Sequence, residues 1–132
     1  LCWSNVGHIT QNDTKDIEYA DEYVRKRVKK GIFIKGIFPY EKTSLRYKKD
    51  SKKALREMYL VKKNTYDFEK EINIYDDKVA IASSLEHSGV IIQGKSIANT
   101  MRSIFEFSFQ QAKMLEPSLL TEKDKKYLSG SN

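Results

Sequence analysis

The sequence predicts an α/β domain in which a mixed β-sheet is flanked by helices. Three observations carry that expectation. Short apolar runs bounded by Gly, Ser, Asp or charged residues recur at 32–38, 56–61, 68–75, 79–83 and 89–92, the length and composition of strands. Two longer stretches keep helical spacing instead, and the first of them separates two strand-like runs, an order that implies a right-handed parallel crossover. Between 75 and 78 only Asp76-Asp77 intervenes, which implies an antiparallel hairpin. A sheet holding both kinds of connection is mixed.

Length and composition fit one such domain. The chain has 132 residues, 39% of them hydrophobic, with one Trp, eight Tyr and six Phe, enough for a single packed core and too apolar for a disordered or low-complexity class. No apolar run approaches the roughly 18 residues of a membrane span, so a cytoplasmic protein without a membrane partner is expected. The single cysteine, Cys2, excludes an internal disulfide framework and fits a reducing compartment. Leu1-Cys2-Trp3-Ser4-Asn5 resembles neither a natural start nor a signal peptide, and the expectation is a fragment of a longer protein.

Residues 1–4 look like the end of a buried strand. A helix should follow, capped by Asp13 with Asp16 three residues on, and carrying Ile17, Ala20, Tyr23, Val24 and Val28 at helical spacing before Gly31 closes it. Its acids lie early and its bases late, as the helix dipole favours. Residues 32–38 read as a central strand. From 39 to 53 charge dominates, and a mobile connection or short helix is expected, anchored by Tyr40, Leu45 and Tyr47. Strands at 56–61, 68–75 (with Phe68, Ile72 and Ile74 apolar), 79–83 and 89–92 come next. The clearest helix spans about 96–114, with Ile97, Met101, Ile104, Phe105, Ser108, Ala112 and Leu115 as its apolar stripe and Phe107 and Phe109 on adjoining faces. Those two extra aromatics fit either further intrachain packing or a partner subunit. Pro117 is expected to end the domain, so that 1–116 form the domain and 117–132 a short helix, capped by Thr121, with a polar tail.

The net charge of +6 is unevenly spread. Residues 25–63 hold 15 basic and three acidic side chains, while Asp67, Glu69, Glu71, Asp76 and Asp77 crowd eleven positions. A basic segment of this kind points to an anionic partner. If that partner were nucleic acid, Arg25, Arg27, Lys30, Arg46, Lys48, Lys49, Lys52 and Lys53 would contact it, with Tyr40, Tyr47, Tyr59 and Tyr66 interleaved for stacking. Helix-end chemistry accounts for part of the same cluster.

Catalytic signals are few. The two histidines, His8 and His87, read as surface residues, and no zincin, thiol-redox, dinucleotide or P-loop motif is present. No metal site and no cofactor is expected. Glu69 and Glu71 share one face of a strand, as paired carboxylates would, and as solvated charges on an edge strand would equally.

Residues 72–84, then Ser88-Gly89-Val90-Ile91-Ile92, then 97–106 resemble the C-terminal half of a phospholipase D-like domain. The resemblance is closer to the degenerate form in the effector domains of TrmB-type transcriptional regulators. There a basic helix feeds a "kkGI" strand, as Val28-Lys29-Lys30-Gly31-Ile32 does here, and an Arg-Glu strand follows, as Arg56-Glu57-Met58-Tyr59-Leu60 does. It covers about residues 16 to 114. The family's His-x-Lys-x-x-x-x-Asp motif fails residue by residue. With Asp76 as its Asp, the His falls on Glu69 and the Lys on Glu71; with Asp77, they fall on Lys70 and Ile72. Neither register supplies an imidazole nucleophile beside a phosphate-holding cation.

The resemblance therefore implies a single-copy phospholipase D-like domain that lacks the catalytic motif and is not an enzyme. It implies a prokaryotic regulatory domain, paired as a homodimer, that passes the binding of a small-molecule effector to an upstream winged-helix DNA-binding domain outside this chain. In the best-known members the effector is a sugar. By geometry, ligands of open α/β sheets lie beyond the carboxyl ends of the parallel strands, which nominates Ser4, Asn5, Glu69, Glu71, Ser83 and Ser84. The competing readings are the nucleic-acid module above and an active phosphodiesterase.

Overall fold

The structure, a computed structural model, describes residues 1–4, 14–66, 69–83 and 85–130. Its elements run β1 (Cys2–Trp3), α1 (Thr14–Lys29), β2 (Ile34–Pro39), α2 (Lys42–Lys49), β3 (Arg56–Val61), β4 (Lys70–Tyr75), β5 (Lys78–Ser83), β6 (Ser88–Gln93), α3 (Lys95–Leu119) and α4 (Glu122–Ser129). The strands form one sheet in the order β3-β2-β1-β4-β5-β6. β1, β2 and β3 are parallel, as their helical connections require, and β4, β5 and β6 form an antiparallel meander joined to β1. The expected mixed sheet flanked by helices is the fold observed.

The β4–β5 turn has a local cause. Tyr75 pairs with Lys78 across Asp76-Asp77, and Asp76 takes φ +46°, a conformation that a short polar side chain tolerates. The Asp77 carbonyl accepts the Gly94 N–H at 2.9 Å, its carboxylate accepts from Gln93 at 2.9 Å, and Arg102 reaches the Asp76 carbonyl at 2.6 Å. The hairpin tip is thereby tied to the start of α3. Hydrogen bonds from Lys78 and then Gln93 hold the Asp77 carboxyl below its ordinary range.

α3 covers one face of the sheet. Ala98, Phe105, Phe109 and Ala112 pack on Ile37, Val61, Ile74 and Val79, and the two alanines let the helix backbone approach the strands closely. Of the expected stripe, Phe105 and Ala112 are buried and Met101 is partly so, but the buried face is turned toward Ala98, Phe109 and Glu116. Ile97, Ile104 and Leu115 are consequently 48%, 50% and 60% exposed, Phe109 is core, and only Phe107 of the two extra aromatics faces outward. Nor does Pro117 end the helix at 116. α3 runs to Leu119 because Glu116 is anchored by the Leu60 N–H at 2.8 Å and by Lys48 at 3.0 Å, while Leu119 and Leu120 pack into the second apolar cluster. The expected boundary at 116/117 thus falls inside an element. α4 begins at a Thr121–Asp124 capping box, as its sequence predicts, and Asp124 accepts the Tyr40 hydroxyl at 2.8 Å.

Among the described residues, the apolar packing on the opposite face lies over the parallel strands. There Cys2, Phe38, Met58 and Leu60 pack with Ile34, Tyr40, Leu45 and Tyr47. Gly36 is required in this layer, since a Cβ on it would stand 2.4 Å from the Phe38 ring and 3.1 Å from Cys2 Sγ. α1 ends in a Schellman motif: Gly31 at φ +66° donates to the Val28 carbonyl at 2.9 Å, and Ile32 donates to Arg27 at 3.2 Å. That turn occupies Ile32, so β2 starts at Ile34 rather than 32, leaving Ile32 and Phe33 half exposed. Asp13, His8 and Phe68 lie outside the described residues, as do the side chains of Asp16 and Ile17.

Two core groups make the fold sensitive to alkali. Burial pushes the Cys2 thiol up to about 11, and burial together with a hydrogen bond to Glu57 pushes the Tyr59 phenol up to about 12. Both groups bind their protons more tightly when folded, so their contribution is complete below about pH 9 and is lost as pH rises through 11 and 12. Thermal melts should therefore fall progressively above pH 9. Cys2→Ala should remove the earliest part of that decline, and an unchanged curve would show that Cys2 does not titrate in this way.

Candidate anion-binding cleft

A cleft of about 520 Å³ opens where the last turns of α1 meet the end of α2 and the start of β3. Val24, Val28, Ala54 and the Tyr47 ring supply its apolar wall, and Arg25, Lys29, Arg46, Lys53 and Arg56 line it against only two carboxylates, Asp21 and Asp50. Helical spacing builds it: Arg25 and Lys29 are one turn apart on α1, and Arg46 and Asp50 one turn apart at the end of α2. Bases at helix C-termini complement the dipole, which accounts for Lys29 and Arg46 without a ligand.

Arg56 is different, because it belongs to a strand. The β3 alternation places it on the face of Met58 and Leu60, and it is half-buried. Its guanidinium makes a long contact of 3.4 Å to the Tyr47 carbonyl, stands 4.0 Å from Met58 Sδ and lies 5.0 Å from the Tyr47 ring. Among the described residues no carboxylate lies within 4 Å of it. A charge taken out of water without a counter-charge is costly. Burial first, and then the neighbouring Arg27 guanidinium, hold Arg56 below its ordinary pKa. An anion in the cleft would relieve both.

Arg27, the neighbour, is turned inward onto the backbone through its two terminal nitrogens, while its buried Nε has no partner among the described residues. It is only 4% exposed and donates to the carbonyls of Ile32, Ala54 and Leu55, stitching the end of α1 to the loop before β3. This corrects its expected place as a surface nucleic-acid contact. Lys48 is likewise turned inward, donating to the Met58 carbonyl at 2.7 Å and pairing with Glu116. Of the other residues predicted to contact nucleic acid, Arg25, Arg46 and Lys53 line the cleft. Lys30 and Lys52 are exposed, and Lys49 lies over the Tyr127 ring at 4.3 Å. The tyrosines do not form a stacking row: Tyr47 lines the cleft, Tyr40 binds Asp124, and Tyr59 lies on the opposite face against Phe109.

The residues nominated at the carboxyl edge of the sheet are only partly brought together. Ser4 and Glu71 share a small hollow of about 100 Å³ that is also lined by Arg56, Asn73 and Tyr23. Ser4 is buried, and Glu71 accepts from Asn73 at 2.8 Å. Glu69 lies 4.0 Å from Lys70. Ser83 falls on the opposite, α3-covered face by strand alternation and accepts the Glu86 N–H at 3.3 Å. It therefore does not join Ser4 and Glu71. Asn5 and Ser84 lie outside the described residues. Arg56 and Lys29 were absent from the predicted contacts. For Arg56 the sequence held a signal, a lone arginine in phase with the apolar positions 58 and 60 of its strand. Comparison with known proteins finds no family model, no curated protein and no solved structure that matches the chain.

Proposed function

We propose that this chain is a non-catalytic, ligand-sensing domain whose basic cleft takes a small anion, a phosphorylated sugar being the ligand class that combines the cleft's charge with its apolar wall. The half-buried Arg56 without a carboxylate partner is the observation that carries this reading. A 520 Å³ cleft has the volume of a metabolite site. In this reading the domain is the phospholipase D-like effector part of a TrmB-like transcriptional regulator, working as a homodimer and acting on DNA through a winged-helix domain outside this chain. The carboxylates at 69 and 71, in place of a nucleophilic histidine and a lysine, support regulation rather than phosphodiester hydrolysis.

Signalling would use α1. The cleft joins α1 to α2 and β3, so a bound anion favours the state in which α1 is docked, and it shifts the equilibrium by its differential affinity for that state. The test is calorimetric titration and thermal melting with inorganic phosphate, glucose 6-phosphate and glucose. The phosphorylated ligands should raise the melting temperature, since binding to the native state alone adds about 2.7 kcal/mol at a hundredfold excess over Kd. Glucose should not, and Arg56→Gln should abolish the effect. Equal shifts with glucose, or with Arg56→Gln, would exclude the cleft as an anion site.

A second reading rests on the exposed Lys30, Lys49 and Lys52, which extend positive charge beyond the cleft. It predicts oligonucleotide binding that weakens steeply with salt. Binding independent of salt, or none, removes it.

A further inference from the structure

The two edges of the sheet are treated in opposite ways. At the β3 edge, the outward Leu60 N–H is capped by Glu116 of α3 at 2.8 Å and the Met58 carbonyl by Lys48 of α2 at 2.7 Å. β6 has no such cover among the described residues, and all six of its residues are exposed. Its sequence, Ser88-Gly89-Val90-Ile91-Ile92-Gln93, contains no charge and no proline, the devices by which soluble proteins blunt open edges.

The register identifies which groups are free. Gly94 donates to the Asp77 carbonyl and lies opposite it in the β5–β6 register. Hydrogen-bonded residues alternate along an antiparallel pair, so Ile92, Val90 and Ser88 bond to β5 while the N–H and C=O of Gly89, Ile91 and Gln93 point off the sheet. We infer that this edge is a self-association site, where β6 of a second copy adds antiparallel about a two-fold axis at Ile91.

In that register Ile91 faces Ile91 of the second copy and Gly89 faces Gln93, so every outward group finds a partner in a six-bond ladder. The apolar residues match as well. Val90 meets Ile92 of the second copy on the α3 side, flanked by Ile97, which packs beside Gly94, and the two Ile91 side chains meet on the other face. Val90, Ile91, Ile92 and Ile97 are 52%, 62%, 36% and 48% exposed. Doubled, and with the strand backbones added, their free surface comes to roughly 1,000 Å², close to the lower end of specific interfaces at about 1,200 Å². A copy of a chain carrying +6 is repelled over much of the surface, and this edge offers it an uncharged approach. An isologous contact of this kind closes on itself and stops at a dimer.

Sedimentation equilibrium of the 132-residue chain at micromolar to millimolar concentration tests the inference. A dimer is expected, with Ile91→Lys weakening it at least tenfold and Phe107→Ser, on the exposed side of α3, leaving it unchanged. Amide exchange on the unaltered chain gives an independent reading that needs no variant: Gly89, Ile91 and Gln93 should become protected as concentration rises. A monomer throughout, a dimer insensitive to Ile91→Lys, or β6 amides that exchange equally fast in the dimer would overturn it.

Discussion

Phe109→Ala is expected to cost about 3–5 kcal/mol, a large share of the roughly 5–15 kcal/mol that holds an ordinary domain together. The ring is 1% exposed, stacks on Phe105 at 5.4 Å, meets the edge of Tyr59 at 5.1 Å and carries Lys35 over its face at 5.3 Å. Truncation removes all three contacts and leaves a cavity beneath the middle of α3, where close-packed neighbours cannot collapse fully. Urea unfolding should show the midpoint falling with little change in slope. A loss below about 1 kcal/mol, the scale of an ordinary surface substitution, would mean that α3 does not seat on the sheet through this face. Phe107→Ala is the control, because Phe107 is 71% exposed and should change stability little.

Glu116→Ala is expected to be nearly as severe, about 3–5 kcal/mol, because removing one member of a buried pair strands the other. Its side chain is 8% exposed and that of Lys48 17%. Alanine would leave Lys48 with the Met58 carbonyl and the Tyr59 ring but no counter-charge, and the Leu60 N–H without an acceptor. Glu116→Gln should recover part of the loss, since an amide oxygen still accepts the Leu60 N–H. The pairing Lys48→Met with Glu116→Leu should be less damaging than either loss alone, and a double-mutant cycle gives the coupling. Additive effects in that cycle would contradict a direct interaction.

Much of the fold was legible because it is written in local chemistry. The Asp76-Asp77 turn, the Thr121 cap and the Gly31 stop each declare themselves through residue types that few other conformations accommodate. The facing of α3 was legible only in part: Phe105 and Ala112 belong to both the expected and the observed face, but 97, 104 and 115 are at least as apolar as 98 and 109, and only packing against the sheet selects the latter pair. Pro117 misled for a related reason. A proline predicts a helix end locally, but Glu116 and Leu119 are held by tertiary contacts that keep the last turn in place.

The site was legible in part. Net basicity was visible, yet composition alone does not separate a cation facing solvent from one spent on carbonyls, as Arg27 is, or on a carboxylate, as Lys48 is. Strand alternation did contain the position of Arg56. Its lack of a carboxylate partner depends on the tertiary arrangement, which no pattern along the chain encodes.

NMR observation of arginine side-chain Nε–H groups during a phosphate titration tests most directly whether Arg56 takes an anion, as proposed above. The account predicts that the Arg56 signal shifts saturably, together with those of Arg25 and Arg46, while the carbonyl-bound Arg27 stays in place. Shifts that grow linearly and equally at all arginines, or an Arg56 signal that does not move, would contradict it.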